Sequence, residues 1–329
     1  MSKPRILSGI QPSGKLHIGN YLGALKNFVQ LQEVGHFECY FFIADYHSLT
    51  EDYDPKEKAR QTLDLALDFF ALGLDPKKST IFLQSQIPEH TELAWIFNTL
   101  ASTGELERMT QYKDKAARQQ KNINAGLFTY PVLQAADILL YRPQLVPVGN
   151  DQLQHLELTN TIARRFNHRF GQTFTTVKPL MTNTPRVMSL SNPNKKMSKS
   201  ESTGCLFIND EPKEIEKKIK RAVTDTSPVG KEKSPGVANL FVLLQNFGTS
   251  KDVEKFEAAY SAGNIKYAEL KAVLSQRIAD YFSDFRKRRK KLAQNPEGIK
   301  KRIFAGSKKA KKIASATLAD VKGKIGLLT

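Results

Sequence analysis

The chain has 329 residues, 40% of them hydrophobic, which is enough for one large or two ordinary globular domains. It carries a net charge of +17 and two widely separated cysteines, Cys39 and Cys205, without a C-x-x-C pair. This cysteine usage argues against a zinc site, an iron-sulfur cluster or a disulfide framework, so we expect no protein-bound metal. The start lacks a long apolar stretch, and no run of about 18 apolar residues follows, which predicts a cytoplasmic protein without membrane contact.

Short apolar runs alternate with helix-length amphipathic segments through about residue 148. The runs predict strands at 5–10, 39–44, 80–83 and 145–148. Such alternation is typical of a doubly wound, Rossmann-like parallel sheet with helices on both faces. We therefore predict an α/β fold whose ligands bind beyond the carboxyl ends of the strands.

Two short motifs stand out along the chain. Residues 12–20 (PSGKLHIGN) follow the first predicted strand and lead into a helix, which places small residues and free N–H groups where a phosphate binds. Residues 196–200 (KMSKS) form a lysine-serine loop past the middle of the chain. Alone, the first is explained as a helix cap and the second as a surface loop. Together, within an α/β pattern, they predict one nucleoside-triphosphate site.

The segment from residue 88 to about 124 interrupts the alternation. A helical pattern is followed by a polar, charged stretch at 108–121, so we interpret the segment as a helical insertion between the two halves of the sheet. Its predicted roles are dimer contacts and the supply of a lysine to the nucleotide. Trp95, at helical spacing with Phe97 and Leu100, is predicted to lie in the core or in a dimer interface.

Beyond the lysine-serine loop the periodicity becomes helical almost to the end, which predicts a second, all-helical domain over 207–329. Its last helix is expected to fold back on the first domain. Residues 251–329 contain 20 lysines and arginines against 8 acidic residues, and 286–291 reads RKRRKK. This excess predicts either a polyanionic partner for the C-terminal part or a solvated basic helix face without a ligand.

Four further segments of the sequence are specific enough to indicate a family: residues 8–14 (SGIQPSG), 104–111 (GELERMTQ), 130–139 (YPVLQAADIL) and 146–152 (VPVGNDQ). With the two motifs, these segments resemble class I aminoacyl-tRNA synthetases, and among them the bacterial and organellar tryptophanyl-tRNA synthetases. The resemblance runs from residue 5 to about 245. Beyond that point it consists of helical character and length.

The resemblance implies a reaction and an organisation. The reaction is the ATP-dependent attachment of L-tryptophan to tRNA(Trp) through a tryptophanyl-adenylate, with release of AMP and pyrophosphate. A Rossmann-like catalytic domain would span 1–206 and a helical tRNA anticodon-binding domain 207–329, in a homodimer.

The resemblance also implies an ATP site. Lys196 and Lys199 would bind the pyrophosphate as negative charge builds on it, joined by Lys115 of the insertion. His17 would donate a hydrogen bond to phosphate or ribose oxygens, and Asp151 would bind the ribose hydroxyls. Mg²⁺ would accompany ATP through phosphate oxygens and water. The implied ATP-binding set is Gln11, Pro12, Ser13, Gly19, Asn20, Gly149, Asn150, Asp151, Val187, Lys196, Met197, Ser198, Lys199 and Ser200.

An indole ring needs a flat apolar slot and one acceptor for its single N–H. Asp137 occupies the family's position for that acceptor; the alternative is a helix carboxylate facing water. Tyr130 and Gln152 would bind the ammonium group. The rest of the implied tryptophan pocket is Gln134, Leu7, Ala44, His47, Val146 and Val148.

Some residues leave alternatives open. His47 follows the second predicted strand and is expected either to face the substrate or to be a hydrogen-bonded histidine at a strand end. Gln134 stands where many family members have methionine, and tyrosyl enzymes use a glutamine near their ring hydroxyl, which keeps a tyrosyl-tRNA synthetase as an alternative. A second alternative is an RNA-binding protein with the synthetase shape but no activity. No chemistry is assigned to His36, His90, His155 and His168.

Overall fold

The computed structural model describes residues 3–118, 122–181, 185–199, 201–224 and 232–328. Contacts between Cα atoms divide the chain into two compact units. The first unit comprises Met1–Ser13, Asn27–Asn183 and Asn295–Thr329, and the second comprises Gly14–Lys26 and Thr184–Gln294. Both units are discontinuous in sequence. The predicted division of roles between 1–206 and 207–329 stays a prediction.

The first unit contains a parallel sheet. In the described part of the chain its strands are β1 (Arg5–Ile10), β2 (Glu38–Ile43), β3 (Ser79–Leu83), β4 (Leu145–Val148) and β5 (Lys178–Met181). The order across the sheet is β3-β2-β1-β4-β5, with every neighbouring pair parallel. The order reverses between β1 and β4, which confirms the doubly wound α/β fold and places the ligand-binding crevice at that point.

The four predicted strands are present within one residue at each end, but the sequence analysis missed β5. This strand is four residues long, largely exposed and contains Pro179, so it lacks the apolar run that marks the others. A proline within a strand is tolerated at a sheet edge, where β5 lies. By contrast, β2 is buried from Cys39 to Ile43, because helices cover both faces of the sheet.

Helices account for most of the remaining chain. In the described ranges they are α1 (Ile18–Asn20), α2 (Lys26–Val34), α3 (Pro55–Leu72), α4 (Glu89–Asn98), α5 (Thr103–Glu107), α6 (Thr110–Arg118), α7 (Ala125–Leu140), α8 (Leu153–Phe170), α9 (Pro212–Lys220), α10 (Pro235–Phe247), α11 (Ser250–Ser261), α12 (Tyr267–Tyr281), α13 (Ser283–Ala293) and α14 (Pro296–Ile325). None of these helices has both the length and the apolar character needed to cross a membrane. Local signals set many ends: α3 begins after Asp54, whose side chain accepts from the Lys56 N–H, and ends at Gly73 with φ +113°.

The predicted insertion contains α4, α5 and α6, which confirms its helical character. Trp95, on α4, is 73% exposed, so the prediction that it belongs to the core is wrong and its place in a dimer interface stays a prediction. The opposite face of α4 is buried and packs against α7. An exposed indole is a large apolar surface that a partner can cover.

Helix α14 covers the outer edge of the sheet. The backbone N–H of Leu83, on β3, donates to Ser307 Oγ at 3.1 Å, so the helix satisfies a donor that the strand edge leaves open. The Gly306 backbone passes so close to Ile81 that a Cβ at Gly306 would overlap the Ile81 carbonyl oxygen. The last helix therefore packs on the sheet, as the sequence pattern indicates.

The second unit consists of α1 and helices α9 to α13. Helix α1 continues into a π-helical turn, Tyr21–Leu25. The hydroxyl of Tyr21 lies 2.6 Å from that of Tyr281, and its ring contacts Phe282 edge-on at 5.1 Å between centroids. π-Turns inside helices are frequent at functional sites. The aromatic contacts tie the end of the first motif to the junction of α12 and α13.

Candidate active site

A cavity of about 260 Å³ lies along the carboxyl half of the sheet in the first unit. We call it the sheet cavity. Strands β1 and β4 supply apolar side chains to it, and residues that follow β2 supply others. Its lining includes all nine residues predicted to bind tryptophan: Leu7, Ala44, His47, Tyr130, Gln134, Asp137, Val146, Val148 and Gln152. Gln11 and Lys115, which were predicted to contact ATP, also line it.

Asp137, on α7, is 1% exposed, so the alternative that it faces water is wrong. Its Oδ1 accepts hydrogen bonds from Gln84 Nε2 at 2.8 Å and from His90 Nδ1 at 2.6 Å. Its Oδ2 lies 2.7 Å from His47 Nε2. Three side chains from outside α7 therefore fix the orientation of the carboxylate at the wall of the sheet cavity.

Burial alone would raise the pKa of the Asp137 carboxyl group. The charge and hydrogen bonds of His47, followed by those of His90, outweigh burial and lower the pKa to about 2. The group is therefore an anion at neutral pH and acts only as an acceptor. An ionised acceptor in an apolar slot selects a ligand that brings a hydrogen-bond donor.

The other end of the sheet cavity is polar. Gln134 Nε2 donates to Gln152 Oε1 at 3.3 Å, and Lys115 Nζ lies 4.9 Å from the centroid of the Tyr130 ring. Lys115 also forms an ion pair with Glu51 at 3.4 Å. Burial raises the pKa of Tyr130, so its hydroxyl stays protonated. The cavity thus combines apolar side chains and one anion with a polar group of amides, a phenol and a lysine.

His155, on α8, also lines the sheet cavity, and its Nε2 lies 3.0 Å from the Tyr130 hydroxyl. Burial first, and then the positive charges of His47 and Lys115, lower its pKa from 6.5 to about 4. The folded protein therefore holds His155 neutral at pH values where the unfolded chain binds a proton. Stability linked to this group is complete above pH 6.5 and is lost as the pH falls towards 4.

We expect His155→Gln to weaken the acid sensitivity of folding, because glutamine can keep the contact with Tyr130 but does not titrate. Between pH 7.5 and pH 5.0 the variant should lose roughly 2 kcal/mol less unfolding free energy than the parent. Urea unfolding at the two pH values measures both losses. Equal losses in the two proteins would contradict the assignment.

The second unit brings the two sequence motifs together. We call their shared site the motif cluster: His17, Gly19, Val187, Lys196 and Lys199. Lys199 Nζ donates to the carbonyl oxygen of Gly14 at 3.3 Å. The backbone N–H of Met197 donates to the carbonyl oxygen of Val187 at 3.1 Å, which attaches the lysine-serine loop to the segment before it. Ser200, predicted for the same site, lies outside the described residues.

His17 caps α1. The Asn20 N–H donates to His17 Nδ1 at 3.3 Å, and the His17 N–H donates to Asn20 Oδ1 at 3.3 Å. Burial first, and then the charges of Lys199 and Lys196, lower the pKa of His17 to about 4. With Nδ1 accepting, the neutral ring carries its proton on Nε2, where it is available to a ligand oxygen.

The capping corrects one expectation about the first motif. The prediction treated the N–H groups at this helix start as free, but the Asn20 N–H is bonded to His17. The motif also presents the imidazole Nε2–H as a donor. Gly19 has a steric role, because a Cβ there would lie 2.9 Å from His17 Cε1. A larger residue would displace the ring.

Five further residues predicted for ATP belong to the first unit, namely Pro12, Ser13, Gly149, Asn150 and Asp151, whereas Ser198 belongs to the second. Asn150 and Asp151 form a 3₁₀ turn with Gln152, directly after β4. The Asp151 side chain accepts from Gln152 Nε2 at 3.2 Å and is exposed. This position, beyond the carboxyl end of a strand, is where the fold rule predicts a ligand.

The sequence analysis assigned no role to His90, His155, Gln84 or Gln111; all four contact Asp137 or line the sheet cavity. The position of Gln84 could have identified it, because it directly follows β3, and polar residues just after the strands of a parallel sheet lie where ligands bind. His47 was noted on the same ground after β2. His90 lies inside α4, where nothing in its neighbours marks it. Within the described ranges, no three histidine, cysteine, aspartate or glutamate side chains are arranged to hold a metal ion.

Comparison with known proteins supplies the family. A family model described as tRNA synthetases class I (W and Y) matches residues 1–283. Tryptophan–tRNA ligase 2 of Streptomyces avermitilis is 43% identical over 334 residues, which cover 99% of this chain and 98% of that protein. The structure of tryptophanyl-tRNA synthetase from Campylobacter jejuni, complexed with ADP and tryptophan, has a TM-score of 0.85 at 36% identity and covers 98% of this chain and 100% of the other. That of the Mycoplasma pneumoniae enzyme has a TM-score of 0.86 at 35% identity, with 99% of each chain covered.

The family match extends over residues of both units, since it covers the sheet cavity as well as the motif cluster. The similarity to S. avermitilis ligase extends over almost the whole of both chains. The chain belongs to the class I tRNA synthetases for tryptophan and tyrosine, and within them to the tryptophan–tRNA ligases.

Proposed function

We propose that this chain attaches L-tryptophan to tRNA(Trp) at the expense of ATP, through a tryptophanyl-adenylate. The observation that supports this most directly is the sheet cavity, an apolar slot with the buried Asp137 anion in its wall. Indole has one N–H, and an ionised acceptor in an apolar slot matches it. Phenylalanine lacks that donor and would leave one buried acceptor position of the Asp137 carboxylate unfilled, so we expect it to be rejected without an editing step.

In the proposed reaction, a carboxylate oxygen of tryptophan attacks the α-phosphate of ATP and pyrophosphate leaves with the bonding electrons. Lys196 and Lys199 would stabilise the charge that grows on the pyrophosphate, and Lys115 would join them. His17 would donate its Nε2–H to a phosphate or ribose oxygen and keep its proton. The low pKa of His17 supports this role, because the ring is neutral at neutral pH and still carries one N–H donor at Nε2.

ATP enters the proposal as its Mg²⁺ complex, with the cation bound chiefly by phosphate oxygens and water. The adenosine part would contact Gln11, Pro12 and Ser13 and the turn that holds Asp151, whose carboxylate suits two ribose hydroxyls. The phosphates would contact the motif cluster. Tryptophan would place its ammonium group beside Tyr130 and Gln152. Acylation would then transfer tryptophan to the 3′-terminal ribose of the tRNA.

ATP–pyrophosphate exchange tests the proposal, with tryptophan and tyrosine assayed side by side. We expect tryptophan-dependent exchange that tyrosine does not support at the same concentration. Preference for tyrosine would favour the tyrosyl alternative, for which Gln134 is the specific observation. No exchange with either amino acid, in protein that binds tRNA, would favour a non-catalytic RNA-binding protein. Aminoacylation of tRNA(Trp) with labelled tryptophan completes the test.

For the tRNA we propose a contact at the basic run on α13. Arg288 and Lys291 are exposed and one turn apart on this helix. Reversing both charges, Arg288→Glu with Lys291→Glu, should weaken tRNA binding about tenfold. The plot of the logarithm of the binding constant against the logarithm of the salt concentration should become less steep by about two, because two phosphate contacts are lost. Tryptophan-dependent exchange without tRNA should not change.

The matched control reverses two exposed charges elsewhere in the same unit, Lys251→Glu with Lys266→Glu. It changes the net charge equally but lies away from the basic run. Equal weakening by both double variants would indicate a non-specific charge effect, and loss of exchange in the α13 variant would refute the proposed contact. Binding is measured by titration of labelled tRNA at several salt concentrations.

We further infer a homodimer that uses the insertion, because the exposed Trp95 lies on it. Sedimentation of the parent and of Trp95→Glu tests this: the parent should sediment as a dimer and the variant as a monomer. Cytoplasmic localisation stays a prediction.

A further inference from the structure

A hydrogen-bonded chain runs behind the sheet cavity. The Tyr141 hydroxyl lies 2.8 Å from His90 Nε2, and His90 Nδ1 lies 2.6 Å from Asp137 Oδ1. Tyr141 and His90 are 0% exposed and Asp137 is 1% exposed. His90 and Tyr141 do not line the cavity, so the chain contacts a ligand only through Asp137.

The donor and the acceptor of each hydrogen bond in this series follow from the chemistry of its members. Burial, followed by the charges of Asp137 and Glu89, raises the pKa of Tyr141 well above its usual value, so the hydroxyl keeps its proton. Asp137 is an anion and can only accept. His90 therefore donates from Nδ1 to Asp137 Oδ1, and its other ring nitrogen, Nε2, is hydrogen-bonded to the Tyr141 hydroxyl.

The Asp137 carboxylate has a limited number of acceptor positions. Each carboxylate oxygen offers about two acceptor positions. Among the described residues, Gln84 and His90 occupy Oδ1, and His47 occupies one position of Oδ2. The second position of Oδ2 has no partner in that part of the chain, and the indole ring of tryptophan has one N–H.

Building on the function proposed above, we infer that His90 is a positioning residue that sets selectivity for the indole N–H. Tyr141 fixes the His90 ring through a hydrogen bond at Nε2, and His90 Nδ1 bonds to Oδ1 of Asp137. Oδ2 therefore stays available to the ligand. His90 also packs among aromatic rings, with centroids 6.1 Å from Phe42 and 6.2 Å from Phe82. The test must therefore separate a change in selectivity from a general loss of packing.

The experiment compares two substrates that differ at the relevant atom: tryptophan and 3-benzothienylalanine, in which sulfur replaces the indole N–H. ATP–pyrophosphate exchange gives kcat and KM for both, in the parent and in three variants. His90→Leu removes the donor to Asp137. His90→Asn keeps a donor near the position of Nδ1. Tyr141→Phe removes only the bond at the far end of the chain.

We expect the parent to prefer tryptophan and His90→Leu to reduce that preference roughly tenfold, mainly through KM for tryptophan. His90→Asn should keep the preference within about threefold of the parent, because the amide N–H replaces the lost donor. Tyr141→Phe should reduce it roughly threefold, since the ring keeps one of its two anchors. Tyr141→Phe is nearly isosteric with the parent, so it still tests the inference if His90→Leu fails to fold.

Equal losses for both substrates in His90→Leu would show a packing role and overturn the inference. So would a His90→Asn variant that loses the preference, or a Tyr141→Phe variant that retains it fully. Failure of the proposed function is distinguishable, because the parent itself would then activate neither substrate or would prefer tyrosine.

Discussion

Replacing Lys199 by alanine is expected to lower the rate of tryptophan-dependent ATP–pyrophosphate exchange roughly 10- to 100-fold, with little change in tryptophan affinity. The range follows from about 1.5–3 kcal/mol for one charge-assisted hydrogen bond made as the leaving group gains charge. Lys196→Ala combined with Lys199→Ala should cost about two to four decades. Tryptophan binding is measured by calorimetry without ATP, because the predicted role concerns the phosphates.

Lys195→Ala is the matched control, since Lys195 directly precedes Lys196 and its backbone, which alanine keeps, is bonded within the loop: its carbonyl oxygen accepts from the Ser189 N–H and its N–H donates to the Asn192 carbonyl oxygen. It should exchange pyrophosphate at nearly the parental rate. Normal turnover in Lys199→Ala would contradict the assignment of this lysine. A thermal melt of each variant checks that the contact between Lys199 and Gly14 is not needed for folding.

Gly306→Ala is expected to destabilise the protein by about 3 kcal/mol, at the upper end of the cost of overpacking. The added Cβ overlaps the Ile81 carbonyl oxygen, which is backbone and cannot turn aside. Helix α14 must then move away from β3, and the bond from the Leu83 N–H to Ser307 Oγ lengthens or breaks. Urea unfolding at neutral pH gives the change in free energy.

The control for this prediction is Gly323→Ala on the same helix, where nothing lies within 4 Å of an added Cβ. Alanine has the higher helix propensity, so this substitution should stabilise by up to about 1 kcal/mol. Opposite signs for the two substitutions separate close packing from propensity. If Gly306→Ala were neutral, α14 would not be seated against the strand as described.

The sheet could be predicted to within a residue at each strand end because its inner strands are continuous apolar runs between helical segments. β5 carries no such signal: its residues are largely exposed, and pairing with β4 defines it as a strand. For α14 the sequence predicted a helix that folds back on the first domain, but not which strand it contacts. Its periodicity predicts a helix, and the approach of Gly306 to Ile81 depends on a fit between distant segments.

For the site, the resemblance predicted nine residues for the amino-acid pocket, and all nine line one cavity. The residues behind them were not found. His90 bonds to Asp137 from inside a helix, 47 positions away in the chain. A histidine in an amphipathic helix looks the same in sequence whether it bonds to a carboxylate or packs without a role. The direction of the His17 hydrogen bonds depends on the folded structure, since the sequence does not distinguish a histidine that caps a helix from one that does not.

The long separation between Leu83 and Ser307, 224 positions, affects the order of events during synthesis. On the ribosome β3 emerges well before α14, so for most of translation the strand edge stays open to other chains. The nascent polypeptide therefore passes through a stage in which it needs protection from aggregation. A chain that ends before α14 would keep this strand edge uncovered.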